Sequence, residues 1–74
     1  MKIESYLKLV QEAYEQTKSY WRYGQTLFNV LDVFDKDIAN KFRGSKFDPF
    51  YTTDNAKIAL FLEQLKKEFD NNET

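Results

Sequence analysis

The chain has 74 residues, of which 42% are hydrophobic and 18% aromatic, a formal net charge of −1, and no cysteine or histidine. This length allows one domain, thirteen aromatic side chains are too many for a disordered chain, and the balanced charge gives no basic excess for binding nucleic acid. The missing cysteine and histidine exclude disulfides, thiolate or imidazole metal sites and Cys/His or Ser/His catalytic pairs, and the longest apolar run, residues 58–62, is far too short to span a membrane.

The first predicted element is a helix over residues 3–19. Apolar side chains recur there at helical spacing, as in Tyr6, Val10 and Tyr14, with polar residues between them. No glycine or proline marks the end of this helix, so we expect it to stop within residues 18–22. Its apolar stripe is expected to close the bundle of its own chain, and packing against a second copy, as a homodimer, or against a partner protein is the alternative.

A second helix is predicted from Gly24 to Phe34, and it is the most hydrophobic of the chain. Leu27, Leu31 and Phe34 follow helical spacing, and further apolar residues such as Val33 leave few polar positions. A strand is disfavoured for residues 27–34, because a buried strand would have to accommodate the polar side chains of Asn29 and Asp32. We therefore expect this helix to be the most buried element.

Asp35 is predicted to cap a short third helix, which Gly44 is predicted to end. An aspartate at the N-cap accepts a hydrogen bond from the first turn, and Asp37 complements the helix dipole there. Lys41 and Arg43 lie in the last turn, where cations are favoured, and the glycine after them can adopt a positive φ. The pattern predicts a helix of about two turns.

The irregular segment of the sequence is residues 45–53. Asp48 is predicted to cap a single turn that begins at Pro49. The aromatic residues of the segment are Phe47, Phe50 and Tyr51. Three aromatic side chains exceed what a solvated connection needs, so we expect them to fold back onto the core.

A fourth helix is predicted to begin after Thr53 or Asp54, one of which caps it. Its apolar stripe consists of Ile58, Phe61, Leu62, Leu65 and Phe69. We expect one helical domain over residues 1–69 and a flexible C-terminal tail over 70–74. The predicted fold class is all-α, a small compact bundle of three main helices plus one short helix and an aromatic turn at residues 48–51.

Three short motifs lie in the middle of the chain. Residues 22–31 read R-x-G-Q-x-x-F-N-x-L, an R-G pair follows at residues 43–44, and residues 48–51 form a D-P-F-aromatic turn. In these motifs the chain resembles a group of small uncharacterised bacterial and phage or prophage proteins. The resemblance implies a bacterial or phage origin and carries no function with it. We also expect a cytoplasmic location, because the N-terminal residues lack the apolar core of a signal peptide.

The motif residues have a structural interpretation and a functional one. Structurally, Gly24 would let the second helix approach another segment closely, and Arg43 would bridge to Asp48 through a charge-assisted hydrogen bond. Functionally, tryptophan, tyrosine and arginine are enriched where proteins bind each other. The predicted interaction residues are Trp21, Arg22, Tyr23, Arg43, Phe50 and Tyr51. The sequence thus predicts a non-enzymatic protein–protein interaction module, and the resemblance adds a phage or prophage accessory protein that binds and modulates a host component.

Catalysis, metals and cofactors are not expected. The candidate acids, Asp32, Asp35, Asp37 and Asp48, are not accompanied by a nucleophile and are better explained as helix caps and solvated carboxylates. The pattern of these acids lacks the glycine and distal glutamate of a calcium loop, and the sequence has no glycine-rich phosphate loop. A bundle of this length is also not expected to form a pocket of about 300 Å³ or more.

A small helix-turn-helix DNA-binding regulator is the alternative function. The second and third helices are joined by a tight turn at Asp35. The third is short and basic, with Lys36, Lys41 and Arg43 followed by Lys46. Asp37 lies near the end of the third helix that would meet the DNA bases. Its negative charge and the balanced charge of the chain count against this function.

Overall fold

The residues that the structure describes fold into four helices. The computed structural model describes residues 2–50, 52 and 54–72, and its helices are α1 (Lys2–Thr17), α2 (Tyr23–Phe34), α3 (Lys36–Phe42) and α4 (Asn55–Asn72). No strand occurs in these ranges, so the predicted all-α fold class is confirmed for them. The Cα radius of gyration is 11.4 Å, close to the value expected for a compact chain of this length.

α1 ends at Thr17, before the predicted range of residues 18–22. The Thr17 hydroxyl donates a hydrogen bond to the Ala13 carbonyl at 2.8 Å. The Thr17 carbonyl accepts the N–H groups of Tyr20 and Trp21 at 3.0 and 2.8 Å. These bonds satisfy carbonyls of the last turn and reverse the chain at once. Because the turn contains neither glycine nor proline, the sequence pattern placed the end of the helix too late.

Three aromatic rings join α1, α2 and α4 in the core. The ring of Tyr6, which is fully buried, has its centroid 5.8 Å from that of Phe34 and 6.0 Å from that of Phe69, and the last two are 5.7 Å apart. The Tyr6 hydroxyl donates a hydrogen bond to the Leu27 carbonyl. Burial, with a smaller contribution from Tyr23, raises the pKa of Tyr6 above its ordinary value. Tyr6 is therefore a neutral donor that ties α1 to α2.

α2 and α4 each bury one apolar face. Leu27, Phe28 and Leu31 of α2 are buried, and only Tyr23 and Val33 of its twelve residues are exposed, the smallest exposed share of the four helices. The prediction that α2 is the most buried element is therefore confirmed, although Val33 is 89% exposed. α2 packs against α1 and α3, and its last residue, Phe34, meets Phe69 of α4. The predicted stripe of α4 is confirmed, with Leu62 packed against the buried side chains of Ile58, Phe61, Leu65 and Phe69.

Asp35 links α2 to α3. Its N–H donates to the Leu31 carbonyl at 2.8 Å, and its side chain accepts the N–H of Ile38 at 3.2 Å. One residue thus closes the last turn of α2 and caps α3, which confirms the predicted cap. Gly44, which follows the C-cap residue of α3, has a φ of 73°, the left-handed conformation predicted for it.

Asp48 organises the segment that follows α3. Its two carboxylate oxygens accept the N–H groups of Gly44 and Phe50 at 2.8 and 2.9 Å. The predicted bridge between Arg43 and Asp48 is wrong. Asp48 binds backbone N–H groups instead, and the Arg43 guanidinium pairs with Asp32 of α2 at 3.0 Å.

The aromatic side chains of this segment return to the core. Phe47 and Phe50 pack against the buried core residues, and the ring of Phe50 meets that of Phe28 edge-on at 6.0 Å. Pro49 between them is buried. The third aromatic residue, Tyr51, lies outside the described residues, so its packing and the helical turn expected there stay predictions.

The start of α2 presses against the same segment at Gly24. A Cβ at this position would collide with the Pro49 carbonyl oxygen and would lie 3.0 Å from the Thr52 carbonyl oxygen. The close approach predicted for Gly24 is therefore confirmed, and the neighbour is backbone rather than a side chain. Two motifs that are far apart in sequence meet at this contact.

α4 begins at a capped turn and runs close to the end of the chain. The Asp54 side chain accepts the N–H of Ala56 at 2.9 Å, whereas Thr53, the other candidate cap, lies outside the described residues. α4 continues to Asn72, through residues that the sequence assigned to the tail, and the buried side chain of Phe69 holds its last turns on the core. Residues 73–74 lie outside the described residues, so a flexible tail stays a prediction.

Candidate functional site

The predicted interaction residues divide between two surface clefts. Trp21, Arg22 and Tyr23 line a cleft of about 500 Å³ at the junction of α1 and α2. Arg43 and Phe50 line a separate cleft of about 340 Å³ beside the 45–50 segment. Tyr51, the sixth predicted residue, lies outside the described residues. Both clefts exceed the pocket volume of about 300 Å³ that a bundle of this length was not expected to form. They can do so because they are open depressions between helices and need no enclosed interior.

Four aromatic side chains and two cations define the larger depression, which we call the aromatic cleft. Its defining residues are Tyr14, Lys18, Tyr20, Trp21, Arg22 and Tyr23. The rings form two edge-to-face pairs, Tyr14 with Tyr23 at 5.1 Å and Tyr20 with Trp21 at 5.6 Å between centroids. Edge-to-face contact is a favourable arrangement of aromatic rings, and the cleft presents both ring edges and ring faces to a ligand.

The turn between α1 and α2 creates this arrangement. Tyr14 lies in the last turn of α1 and Tyr23 in the first turn of α2, and the short connection brings the two helix ends together. Sequence reasoning missed Tyr14 and Tyr20 as members of the site. Tyr14 was assigned to the core stripe of the first helix, and Tyr20, which is 67% exposed, fitted no pattern. The available signal was the cluster of aromatic residues on both sides of a helix junction.

The charged residues of the aromatic cleft are positive. Lys18 forms an ion pair with Glu15 at 3.2 Å, in which both side chains are more than half exposed. Arg22 is exposed and has no ion-pair partner among the described residues. Of the described residues that line the cleft, none is acidic. Because Glu15 offsets the charge of Lys18, the positive character of the cleft rests mainly on Arg22.

Arg22 occupies the N-cap position of α2, where acceptor side chains are usually found. A guanidinium group has no acceptor, and the Arg22 side chain makes no capping hydrogen bond. The Gln25 side chain instead accepts the backbone N–H of Arg22 at 2.9 Å. The positive end of the α2 dipole thus carries a further positive charge beside the cleft.

The far side of the aromatic cleft belongs to the loop before α4. Thr52 of that loop and Asn55, the first residue of α4, line it there, and Gly24 of α2, which contacts the loop backbone, lines it as well. Tyr23 of α2 lines the cleft, and its pKa is raised, mainly by partial burial and further by Tyr14. The Tyr23 hydroxyl is therefore protonated at neutral pH and can donate a hydrogen bond.

Arg43 is held within the smaller cleft by two interactions. Its guanidinium lies 4.9 Å from the centroid of the Phe28 ring and pairs with Asp32 at 3.0 Å. The Phe28 ring in turn meets Phe50. Arg43 and Phe50 thus take part in packing the 45–50 segment onto α2.

A third depression, which we call the apolar groove, lies between α1 and α2 on another face. It measures about 390 Å³ and is lined by Leu9, Ala13, Trp21, Asn29, Val30, Val33 and Phe34. Leu9 is 44% exposed and Val33 89% exposed, which is high for large apolar side chains. Trp21 lines both this groove and the aromatic cleft, so the two surfaces share one residue.

The described part of the chain holds no group of three or more metal-ligating side chains. None of its helices combines the length and the hydropathy that crossing a membrane requires. Comparison with protein-family models, with curated proteins and with solved structures found no match. The function is therefore proposed from the residues and geometry of this chain.

Proposed function

We propose that the chain is a non-enzymatic protein–protein interaction module that binds its partner at the aromatic cleft. The observation that carries this proposal is the convergence of four aromatic side chains with Arg22 and Lys18 in one open cleft. Tryptophan, tyrosine and arginine dominate binding energy at protein interfaces because they offer large contact areas with a polar end. The proposal keeps Trp21, Arg22 and Tyr23 from the sequence analysis and adds two further tyrosines.

The edge-to-face pairs support this proposal energetically. A side chain that is ordered before binding loses less conformational entropy when a partner arrives. Tyr14 and Tyr23 restrain each other, as do Tyr20 and Trp21. The cleft is thus arranged to bind without extensive reorganisation.

The proposal includes no catalytic role, since three of the four candidate acids have structural partners. Asp32 pairs with Arg43, Asp35 caps α3, and Asp48 accepts two backbone N–H groups. Carboxylates that are engaged in this way are poorly available for acid–base chemistry. Asp37, the fourth candidate, is exposed in the first turn of α3, where it complements the helix dipole.

The finer proposal is a phage or prophage accessory protein that acts in the cytoplasm by binding and modulating a host component. It is supported by the resemblance of the three central motifs.

For the fold, the proposal is three main helices plus one short helix, with an aromatic turn at residues 48–51. Its support is the seven-residue length of α3 and the packing of Phe50 on Phe28.

A second copy of the chain is the alternative partner within the same class of function. The apolar groove is the surface on which it would pack, because Leu9 and Val33 expose apolar area there. Light scattering across a range of concentrations tests this alternative. A mass that stays at 8.9 kDa when the concentration is raised would exclude the homodimer.

A helix-turn-helix regulator is the alternative from another class. The tight α2–α3 turn at Asp35 favours it. Two of its basic residues lie beside acids that offset their charge, however, because Lys41 pairs with Glu68 and Arg43 with Asp32, each at 3.0 Å. Phosphate binding would have to compete with these pairs, so the protein-binding function is preferred.

Site-specific photo-crosslinking in nuclease-treated bacterial lysate tests the proposed function. Tyr20 is replaced by p-benzoylphenylalanine, which places the reactive group on the exposed rim of the cleft. The same replacement at Leu60, which is 49% exposed on α4 and does not line the cleft, is the matched control. We expect one protein to be captured at position 20 and not at position 60. The same proteins at both positions, or none at position 20, would contradict the proposal, and DNA recovered without nuclease would favour the regulator.

A further inference from the structure

We propose that the aromatic cleft binds a short acidic segment of the partner protein. This inference rests on the proposed function, which assigns the cleft to protein binding, and adds the chemistry of the segment that enters it. The carrying observation is charge complementarity. The charged side chains among the described lining residues are Lys18 and Arg22, and no carboxylate stands among them.

Both cations have donor capacity left for a ligand. Lys18 contacts Glu15 at 3.2 Å through a single oxygen, and an ammonium group has three donors. Arg22 has five donors in a planar arrangement that matches a carboxylate, and no described residue forms an ion pair with it. A partner carboxylate can therefore bind Arg22 without displacing another acid.

The start of α2 adds to this positive region. α3 and α4 begin with Asp35 and Asp54, whose side chains accept first-turn N–H groups, whereas α2 begins with an arginine that cannot accept. Gly24 and Gln25 of the first turn of α2 line the cleft. An incoming carboxylate would supply the acceptor that the chain's own sequence does not place there.

The aromatic rings select a peptide rather than a free anion. Tyr14, Tyr20, Trp21 and Tyr23 offer apolar ring surface beside the cations, so a side chain next to the partner's carboxylates can pack while the charges pair. A volume of about 500 Å³ is within the range of pockets that hold small ligands. The best match is an acidic segment with at least one aromatic or large apolar residue.

Single-stranded nucleic acid also binds to aromatic rings and cations, but the charge favours a peptide. Nucleic-acid affinity depends on neutralising several phosphates, and the described lining of the cleft offers two cations. The chain as a whole has a net charge of −1 and so offers no excess of cations for a long polyanion. A carboxylate-bearing segment of a few residues does not need an extended row of cations.

The test uses labelled pentapeptides and the full chain. The acidic probe is Asp-Glu-Phe-Asp-Glu, and its uncharged match is Asn-Gln-Phe-Asn-Gln. Binding is followed by fluorescence anisotropy, and two-dimensional NMR locates it through the amide signals of residues 23–25. We expect the acidic probe to bind saturably and to shift these signals, and the uncharged probe to bind at least about tenfold more weakly.

Two variants with the same change of net charge isolate the role of Arg22. Arg22→Gln should weaken the binding of the acidic probe by about tenfold, because it removes a charge-assisted hydrogen bond. Lys66→Gln, at an exposed position of α4 outside the three depressions, should weaken it by less than about twofold. Equal losses in the two variants would show a diffuse charge effect and would overturn the assignment to Arg22.

The remaining outcomes separate this inference from the proposed function. If both probes bind equally and Tyr20→Ala weakens both, the acidic inference is overturned and the cleft still binds protein. If neither probe binds, the acidic inference is overturned, and crosslinking at position 20 decides the proposed function independently. If an oligothymidylate of twelve nucleotides binds more tightly than the acidic probe, with an affinity that falls steeply with salt, nucleic acid replaces the peptide.

Discussion

Gly24 at the start of α2 lies so close to Pro49 that a methyl group on it would overlap the Pro49 carbonyl oxygen. Pro49 itself is buried, and the carboxylate of the preceding Asp48 fixes its loop by accepting two backbone N–H groups. Because Gly24 and Thr52 also line the aromatic cleft, this backbone contact positions one side of the candidate site.

Gly24→Ala should lower the free energy of unfolding by about 1 to 3 kcal/mol, measured by urea denaturation. The added methyl group meets backbone atoms of Pro49 and Thr52, which cannot move aside as the end of a flexible side chain can. Alanine favours helix more than glycine does, so any gain in helix propensity works against the predicted loss. A variant as stable as the parent would show that the loop yields freely.

Gly44→Ala should lower the free energy of unfolding by about 1 to 2 kcal/mol for a different reason. Apart from its chain neighbours, no atom of the described residues lies within 4 Å of a Cβ built at Gly44, so the cost comes from its φ of +73°. Asparagine adopts this conformation more easily, and Gly44→Asn should therefore lose less stability. Equal thermal stabilities of the two variants would contradict a conformational origin.

Leu31→Ala should destabilise the fold by about 2 to 5 kcal/mol, because Leu31 is fully buried and the smaller side chain leaves a cavity. Val33→Ala provides the matched control on the same helix. Val33 is 89% exposed, so its truncation should change stability by less than about 0.5 kcal/mol. Denaturation of both variants under one condition tests which face of α2 is the core, and similar losses would contradict the described packing.

Tyr6→Phe should change the response of the protein to alkaline pH. Burial raises the pKa of Tyr6 in the folded state above the value of about 10 that it has in the unfolded chain. The stabilisation linked to its proton is therefore complete below pH about 10 and is lost as the pH rises further, since the unfolded chain ionises first. The loss of unfolding free energy between pH 9 and 11 should be smaller in Tyr6→Phe than in the parent.

At neutral pH, Tyr6→Phe should lower the free energy of unfolding by about 1 kcal/mol, because it removes the hydrogen bond from the Tyr6 hydroxyl to the Leu27 carbonyl. Lysine deprotonation affects parent and variant alike, so the comparison isolates the phenol. Parallel pH profiles would show that Tyr6 ionises similarly in the folded and unfolded states.

The local features of the fold could be predicted from the sequence because they depend on neighbouring residues. The Asp35 cap, the positive φ of Gly44 and the buried stripe of α4 follow from short-range patterns. The end of α1 at Thr17 could not be predicted, since a threonine hydroxyl and a compact turn replace the usual glycine signal. The exposure of Val33 depends on which neighbours cover α2, and apolar spacing alone does not reveal them.

The candidate site was predictable only in part. Trp21 and Tyr23 stood out by residue type, but Tyr14 joins them across a turn whose geometry no pattern gave. The partner of Arg43 was predicted as Asp48, close in sequence, whereas the fold supplies Asp32 from α2. Long-range pairing is decided by how the helices pack, and composition does not encode it.

Trp21 is the only tryptophan of the chain, and it stands where the aromatic cleft and the apolar groove adjoin. Indole emission depends on the polarity around the ring, and the Tyr20 ring at 5.6 Å is close enough to pass excitation energy to it. A peptide in the cleft and a second copy in the groove would each change the spectrum of the unlabelled protein. The molecule thus contains an intrinsic optical reporter at the junction of its two candidate binding surfaces.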